Sequence, residues 1–392
     1  MCDTFHPMEN YTQRLDKIEA VLNSWLPENP DNVWLEKVFA DFQLEGNSDS
    51  ADNTASAPAS SPLLQLAASL VMPGWDLVNR GGKRWRPLLM LLAAESIAGE
   101  SGMETALPLT PLVEFPHNAS LIHDDIEDNS DQRRGKPAVH LIYGMDTAIN
   151  SGSFMYFLPL ACLDTLPENH GLKQTIWAAW ASHMRGLHLG QAMDISWHRD
   201  FNSLPGLDEY DRMCRLKTGC LARLAAVLGV YAGAFAAGEY PASVSNGKNK
   251  AHSLANLFGS AAEQLGVGFQ ILDDVKNLTA GVPGKKRGDD IVEGKKSLPV
   301  LLYLHRYPEK REFAARCFAA ARSQRLDAPE VEEFITALSS AGVLEEALLK
   351  GRKYIEESRL IFSARETSGF ELKPEGRELL AGLLDLLGKS EA

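Results

Sequence analysis

Almost every periodic stretch of this chain repeats its apolar residues at steps of three and four. Tyr11, Leu15, Ile18, Leu22 and Trp25 form one such stripe; Leu35, Val38, Phe39 and Phe42 form another, with Pro27 and Pro30 between them. That spacing buries one face of an α-helix, whereas a strand needs alternation at every residue. No segment alternates clearly in polarity. The expectation is an all-α fold of many helices packed on one another, without clear strands.

The helical pattern breaks once on a large scale. Residues 45–62 read EGNSDSADNTASAPASSP, with three acids and no large apolar side chain. Such a stretch gains too little burial to offset its ordering and is expected to be a flexible acidic loop. It separates N-terminal helices in 1–44 from a region at 63–392, and the helices and that region are read together as one domain. A second loop is expected at Gly281 to Asp290, GVPGKKRGDD. The stretch Leu224 to Gly238 is uncharged, but shorter than the roughly 20 residues that span a bilayer. It is expected to be a buried helix of small residues, not a membrane span.

Charge narrows the function classes. The formal net charge is −13, which argues against a nucleic-acid partner and makes an anionic substrate awkward unless metal ions or a local basic cluster offset the field. The five cysteines, Cys2, Cys162, Cys214, Cys220 and Cys317, are scattered and in no metal-ligand spacing. They are read as reduced thiols of a cytoplasmic protein. No basic stretch followed by an apolar run opens the chain, so no signal peptide is expected.

Acids and bases nevertheless come in short, specific settings. LIHDDIEDNSDQRRGKP, from Leu121, places Asp124, Asp125, Glu127, Asp128 and Asp131 just before Arg133, Arg134 and Lys136. Asp124 and Asp128 stand one helical turn apart on one face, which His117 and Leu121 extend. GFQILDDVKN adds Gln270, Asp273, Asp274 and Asn277, again at helical steps and expected on one face. A lone acidic pair is most often an exposed turn. Two such pairs on separate helices suit Mg²⁺ shared with substrate phosphates. The bases Lys83, Arg84 and Arg86 in GGKRWRP precede a helix expected to open at Pro87. Lys217 and Thr218 sit in RLKTGCL, and Lys286 and Lys295 flank Asp290. Each patch alone would be an ordinary solvated surface; together with two acidic helices they point to diphosphate chemistry.

These segments, in this order, resemble the all-trans polyprenyl diphosphate synthases. GGKRWRP, LIHDDIED, RRGKP, GQAMDI at Gly190, KTG, FQILDD and EGKKSLP match the family's series from about Pro62 onward. Asn277 stands where the family commonly has a third aspartate, and the 45–62 loop is outside the usual pattern. The resemblance implies an isoprenoid synthase fold, many antiparallel helices around a deep central cavity, usually as a homodimer. It implies a reaction that joins isopentenyl diphosphate to an allylic diphosphate with Mg²⁺, or Mn²⁺ in its place. It makes Asp124, Asp128 and Asp273 metal ligands, with Asp125 and Asp274 beside them. It makes Lys83, Arg86, His117 and Arg134 the isopentenyl diphosphate site, and Arg133, Lys217, Thr218, Gln270, Lys286 and Lys295 contacts of the allylic diphosphate.

Ser120 and Ala119, four and five residues before the first aspartate, are small where short-chain enzymes of the family often place an aromatic ring. Pro116, Val113 and Leu112 lie beyond them, and Phe154, Tyr156 and Phe157 are bulky candidates to close the tunnel from a neighbouring helix. A product of twenty carbons or longer is expected, with a fifteen-carbon product as the alternative. A class I terpene cyclase, a non-catalytic partner subunit and a structural metal-binding helical protein remain as rival readings.

Overall fold

The computed structural model describes residues 7–40, 62–166, 170–200, 202–240, 249–280 and 287–390. Phe42, nearly all of the acidic 45–62 stretch, Cys2, and Lys286 with most of the second expected loop lie outside them. Fourteen α-helices of eight residues or more occur among the described residues: α1 Pro7–Trp25, α2 Pro62–Asn79, α3 Trp85–Ala98, α4 Pro111–Glu127, α5 Met145–Phe157, α6 His170–Arg199, α7 Leu207–Cys214, α8 Cys220–Ala236, α9 Lys250–Thr279, α10 Leu298–Arg306, α11 Arg311–Gln324, α12 Pro329–Ser340, α13 Val343–Phe362 and α14 Pro374–Ser390. The fold is all-α, as the periodicity requires. The expectation of no clear strands needs one correction. Two minimal antiparallel hairpins occur, β1 Gln132–Arg133 with β2 Lys136–Pro137, and β3 Glu366–Thr367 with β4 Phe370–Glu371.

Two apolar cores share the molecule. The larger gathers Leu88 to Ala94 of α3, most of α8, and the N-terminal two thirds of α9, and takes in Ile18 and Leu22 of α1. The smaller gathers α10, α11 and α12 with Tyr210, Met213 and Cys214 of α7 and the far end of α9. The small residues of α8 are explained by proximity. A Cβ on Gly229 would press on Met90 O and lie 2.9 Å from Ala93 Cβ; one on Gly233 would meet Ala94 O at 2.7 Å. The two backbones therefore cross too closely for side chains at those points. The rod Leu207–Ala236 is long and apolar enough to cross a membrane, but most of it is buried inside the protein, so a core helix is the simpler account.

That rod is not uniform. Between α7 and α8, residues Arg215–Gly219 form one π-turn, the kind of single wide turn often found at functional sites. It carries Lys217 and Thr218.

Candidate active site

The α4 helix ends at the first acidic motif, with Asp124 in its last turn and Asp128 as its C-cap. Across a cavity of about 350 Å³ stands α9. Asp124, Asp128, Gln270, Asp273 and Asp274 line that cavity together with Lys83, Arg133, Arg134, Lys217 and Lys295. Residues as far apart in the chain as Lys83 and Lys295, 212 positions, thus meet at one cavity. Leu121, Met213 and Phe269 supply apolar wall, and Lys83 Nζ lies 5.0 Å from the Phe269 ring centre.

The cations sit against the carboxylates. Lys217 Nζ is 2.5 Å from Asp194 and 3.8 Å from Asp124. Lys295 Nζ is 2.5 Å from Glu293, 3.4 Å from Asp128 and 3.8 Å from Asp290. Burial opposes the charge of both lysines, yet these carboxylates raise both above the ordinary lysine value. Gln191 of α6 donates to Asp124 at 2.5 Å and to Glu127 at 2.6 Å. Gly190 lets α6 lie against the π-turn, because a Cβ there would collide with the backbone of that turn, 2.7 Å from Leu216 C.

Asp125 plays a different part from its neighbours. It is fully buried and accepts from two nitrogens of Arg133, Nε at 2.9 and 3.2 Å and Nη2 at 2.5 Å. It therefore orients Arg133 rather than facing the cavity.

Two corrections concern the second motif and the basic loop. Gln270 and Asp273 face the cavity, but Asn277 does not line it. Asn277 is buried, and its Oδ1 accepts from Asp290 N at 3.2 Å. Asp274 is also buried and is held by Tyr210 and Gln270. The four residues spread around the helix because positions 273 and 274 are about 100° apart. In the basic loop, α3 begins at Trp85, so Pro87 is its third residue and not its first. Arg84, read as a phosphate contact, is instead an internal pillar. Its Nη1 donates to Glu114 at 2.9 Å, its Nε to Glu19 of α1 at 2.7 Å.

Arg86 and His117 stand behind the cavity lining. Arg86 is buried and pushed down to about 10 by desolvation, with Glu114 opposing; its Nε has no hydrogen-bond partner. Burial, then the charges of Arg86 and Arg134, hold His117 well below the usual histidine range, so it is a neutral imidazole at neutral pH. Arg134 is carried on the tip of the β1–β2 hairpin. Arg134 and Gly135 have φ of 53° and 74°, the two positive values a two-residue type I′ turn demands. A left-handed arginine costs about 1–2 kcal/mol, and here its side chain is anchored by Asn118 Oδ1 at 3.1 Å and Leu77 O at 2.8 Å. Arg84, also left-handed at φ 47°, meets it over Gly82, where a Cβ would lie 3.3 Å from a terminal nitrogen of each guanidinium.

Of the bulky tunnel candidates, two are misplaced. Phe157 is 64% exposed, and Phe154 stacks on Phe39, 6.1 Å between centres. Both point away from α4 because α5 turns only one face to it. Tyr156 remains. It is buried between His123 and His188, at 5.8 and 5.2 Å.

The polyprenyl synthetase family profile matches residues 68–335. The chain belongs to that family. This polyprenyl synthetase is therefore an enzyme, a prenyltransferase. It is 29% identical over 316 residues to the geranylfarnesyl diphosphate synthase of Aeropyrum pernix, covering 79% of this chain and 91% of that one. It is 33% identical over 286 residues to a geranylgeranyl pyrophosphate synthase of Geoglobus acetivorans, covering 72% and 80%. The crystal structure of a geranylgeranyl pyrophosphate synthetase from Pyrococcus horikoshii Ot3 superposes with a TM-score of 0.69 at 25% identity, covering 82% and 90%.

Sequence reading missed Glu19, Glu114, Asn118, Gln191, Asp194 and Tyr210 around this cavity, whereas Glu127 stood in the first acidic run. Asp194 and Gln191 had a signal, their three-residue spacing inside GQAMDI. Glu114 and Asn118 lie one turn apart on the first-motif helix and could have been found the same way.

Proposed function

We propose that this synthetase joins isopentenyl diphosphate to an allylic diphosphate in a Mg²⁺-dependent condensation and releases an all-trans polyprenyl diphosphate of twenty carbons or longer. One observation carries the reading: carboxylates of two facing helices share a cavity with one set of cations, and a second basic set reaches from the lining to the layer behind it. Lys217 and Lys295 stand beside Asp124 and Asp128. Arg86 and Arg134, both drawn by the charge of Glu114, form the other set, with the neutral His117 beside them. Two cation sets fit two diphosphates. A terpene cyclase needs only one.

The donor set suits magnesium. Asp124, Asp128 and Asp273 offer hard oxygen ligands, and among the described residues no three His, Cys, Asp or Glu side chains close into a cage. Mg²⁺ is commonly held this way, by one or two carboxylates with substrate phosphates completing the shell. When bound, it would neutralise charge on the departing diphosphate. Lys217 and Lys295, with Arg133 held in place by Asp125, would take up the same charge as the allylic C–O bond breaks and its electron pair leaves with the diphosphate. The isopentenyl double bond then supplies the pair for the new C–C bond. Leu121, Met213 and Phe269 would keep water from the allylic cation. The proton lost to restore a double bond goes to the departed diphosphate, since His117 is ringed by guanidiniums that disfavour its protonation.

Incubating the protein with both diphosphates and Mg²⁺ tests the reaction. Chain growth supports it; diphosphate binding without growth would favour a non-catalytic subunit. Within that assay, Lys83→Ala and Arg86→Ala should raise KM for isopentenyl diphosphate about ten- to a hundredfold, the worth of one charge-assisted hydrogen bond. Lys217→Ala should act on the allylic substrate instead. Equal effects of all three variants on both substrates would contradict the division into two sets.

A homodimer is part of the proposal. Ile142, Met145, Ile149 and Phe157 with Trp177 and Leu189 of α6 leave large apolar groups 44–64% exposed, more than isolated surface residues explain. Sedimentation should give twice the 43.0 kDa chain mass; a monomer at micromolar concentration would remove this part of the proposal.

A further inference from the structure

Four side chains from three segments form one hydrogen-bonded line along the cavity wall. Thr218 Oγ1, on the π-turn, donates to Gln270 Oε1 at 2.7 Å. Gln270 Nε2 donates to Asp274 Oδ1 at 2.8 Å. Tyr210 OH, from α7, donates to Asp274 Oδ2 at 2.7 Å. Leu298 N, at the start of α10, adds a longer contact of 3.4 Å to the same oxygen. Asp274 is 4% and Tyr210 2% exposed.

The directions in this line are not interchangeable. An ionised carboxylate only accepts. Asp274 therefore forces the Gln270 amide to present its NH₂ group to α9 and its carbonyl oxygen to Thr218. One N–H and one lone pair of that amide remain for the cavity. The carboxylate itself is fixed by the phenol, because the Leu298 contact is long.

We infer that Tyr210 is a positioning residue for the condensation: through Asp274 it holds the Gln270 amide in a single orientation toward the reacting allylic carbon. Tyr210 lines the cavity, but its hydroxyl donates to Asp274, and the role assigned to it is exercised through that carboxylate. The inference rests on the reading above in which Gln270 faces the allylic diphosphate. It accounts for a feature which that reading leaves unexplained, a second aspartate in the motif whose two oxygens are taken up by Gln270 and Tyr210.

The experiment is a mutant cycle on kcat. Tyr210→Phe keeps the ring and its packing and removes only the donor. It should lower kcat about tenfold, leaving both KM values and the Mg²⁺ concentration for half-maximal rate within twofold. In a Gln270→Ala background the same change should alter kcat less than twofold, because nothing is left to orient. Asp274→Asn should lower kcat with the same selectivity, since an asparagine NH₂ turned to Gln270 would flip its amide. Additive losses in Tyr210→Phe/Gln270→Ala, or a shift in metal dependence, would overturn the inference, as would a Tyr210→Phe enzyme of wild-type kcat. A wild type inert towards both diphosphates would instead sink the proposed reaction. The line would then be judged by the Gln270 side-chain amide in NMR, assigned by its loss in Gln270→Ala. Two sharp NH₂ signals that broaden in Tyr210→Phe would uphold it, and unchanged signals would end it.

Discussion

Asp124→Ala and Asp273→Ala should each lower kcat by about 10²–10³-fold, the usual cost of losing one preorganised group that stabilises developing charge. The expectation comes from where the two side chains sit. They face one cavity from opposite helices, whereas Asp125 is buried against Arg133. Without either carboxylate, metal would be held from one side only. The leaving group would then depend on Lys217 and Lys295, which already answer to Asp194 and Glu293. Excess chelator should abolish turnover of the wild type, and added Mg²⁺ or Mn²⁺ should restore it. Turnover that persists in chelator would refute the metal requirement whatever the mutants do.

Product length is the second large effect. Ala119 is completely buried on α4, and the Ser120 hydroxyl folds back onto His117 O at 2.8 Å. No ring blocks the path at either position. A phenyl ring fills roughly the room of one isoprene unit in a close-packed interior. Ala119→Phe should therefore shorten the products from twenty carbons or more to fifteen or fewer. Tyr156, clasped by His123 and His188, is the bulky group left to stop the chain from α5. Tyr156→Ala should lengthen the products by at least one unit. Chromatography of the dephosphorylated products reads both. A wild type that stops at fifteen carbons would defeat the length assignment, and an unchanged Ala119→Phe profile would move the floor elsewhere.

The helices were legible because their stripes are long, and the two carboxylate faces because a four-residue step survives folding unchanged. What escaped is long-range and solitary. Tyr210 lies 64 residues from the aspartate it holds, and no local pattern marks it. Arg84 and Lys83 look alike in GGKRWRP, yet one is locked between Glu19 and Glu114 and the other lines the cavity. That choice depends on a left-handed backbone at Arg84, which an arginine does not advertise. Arg134 repeats the lesson: Arg-Gly occupies a turn that ordinarily signals itself as Asn-Gly. Asn277 shows the opposite failure. Helical spacing put it near Asp273, but the rim of the second acidic face bends away to cap the segment at Asp290.

The π-turn at Arg215–Gly219 is, in effect, a phase shifter between two registers of one rod. Before it, Tyr210, Met213 and Cys214 face the smaller core; after it, Cys220, Leu221 and Leu224 face the larger. A wide turn adds one residue without adding a turn, so it rotates everything on one side by about 100° relative to the other. A one-residue deletion there would restore an unbroken α-helix and turn one of the two faces out of its core. Lys217 sits on the widened turn, and so the side chain that meets Asp124 also marks the seam where the two halves of the molecule were brought into step.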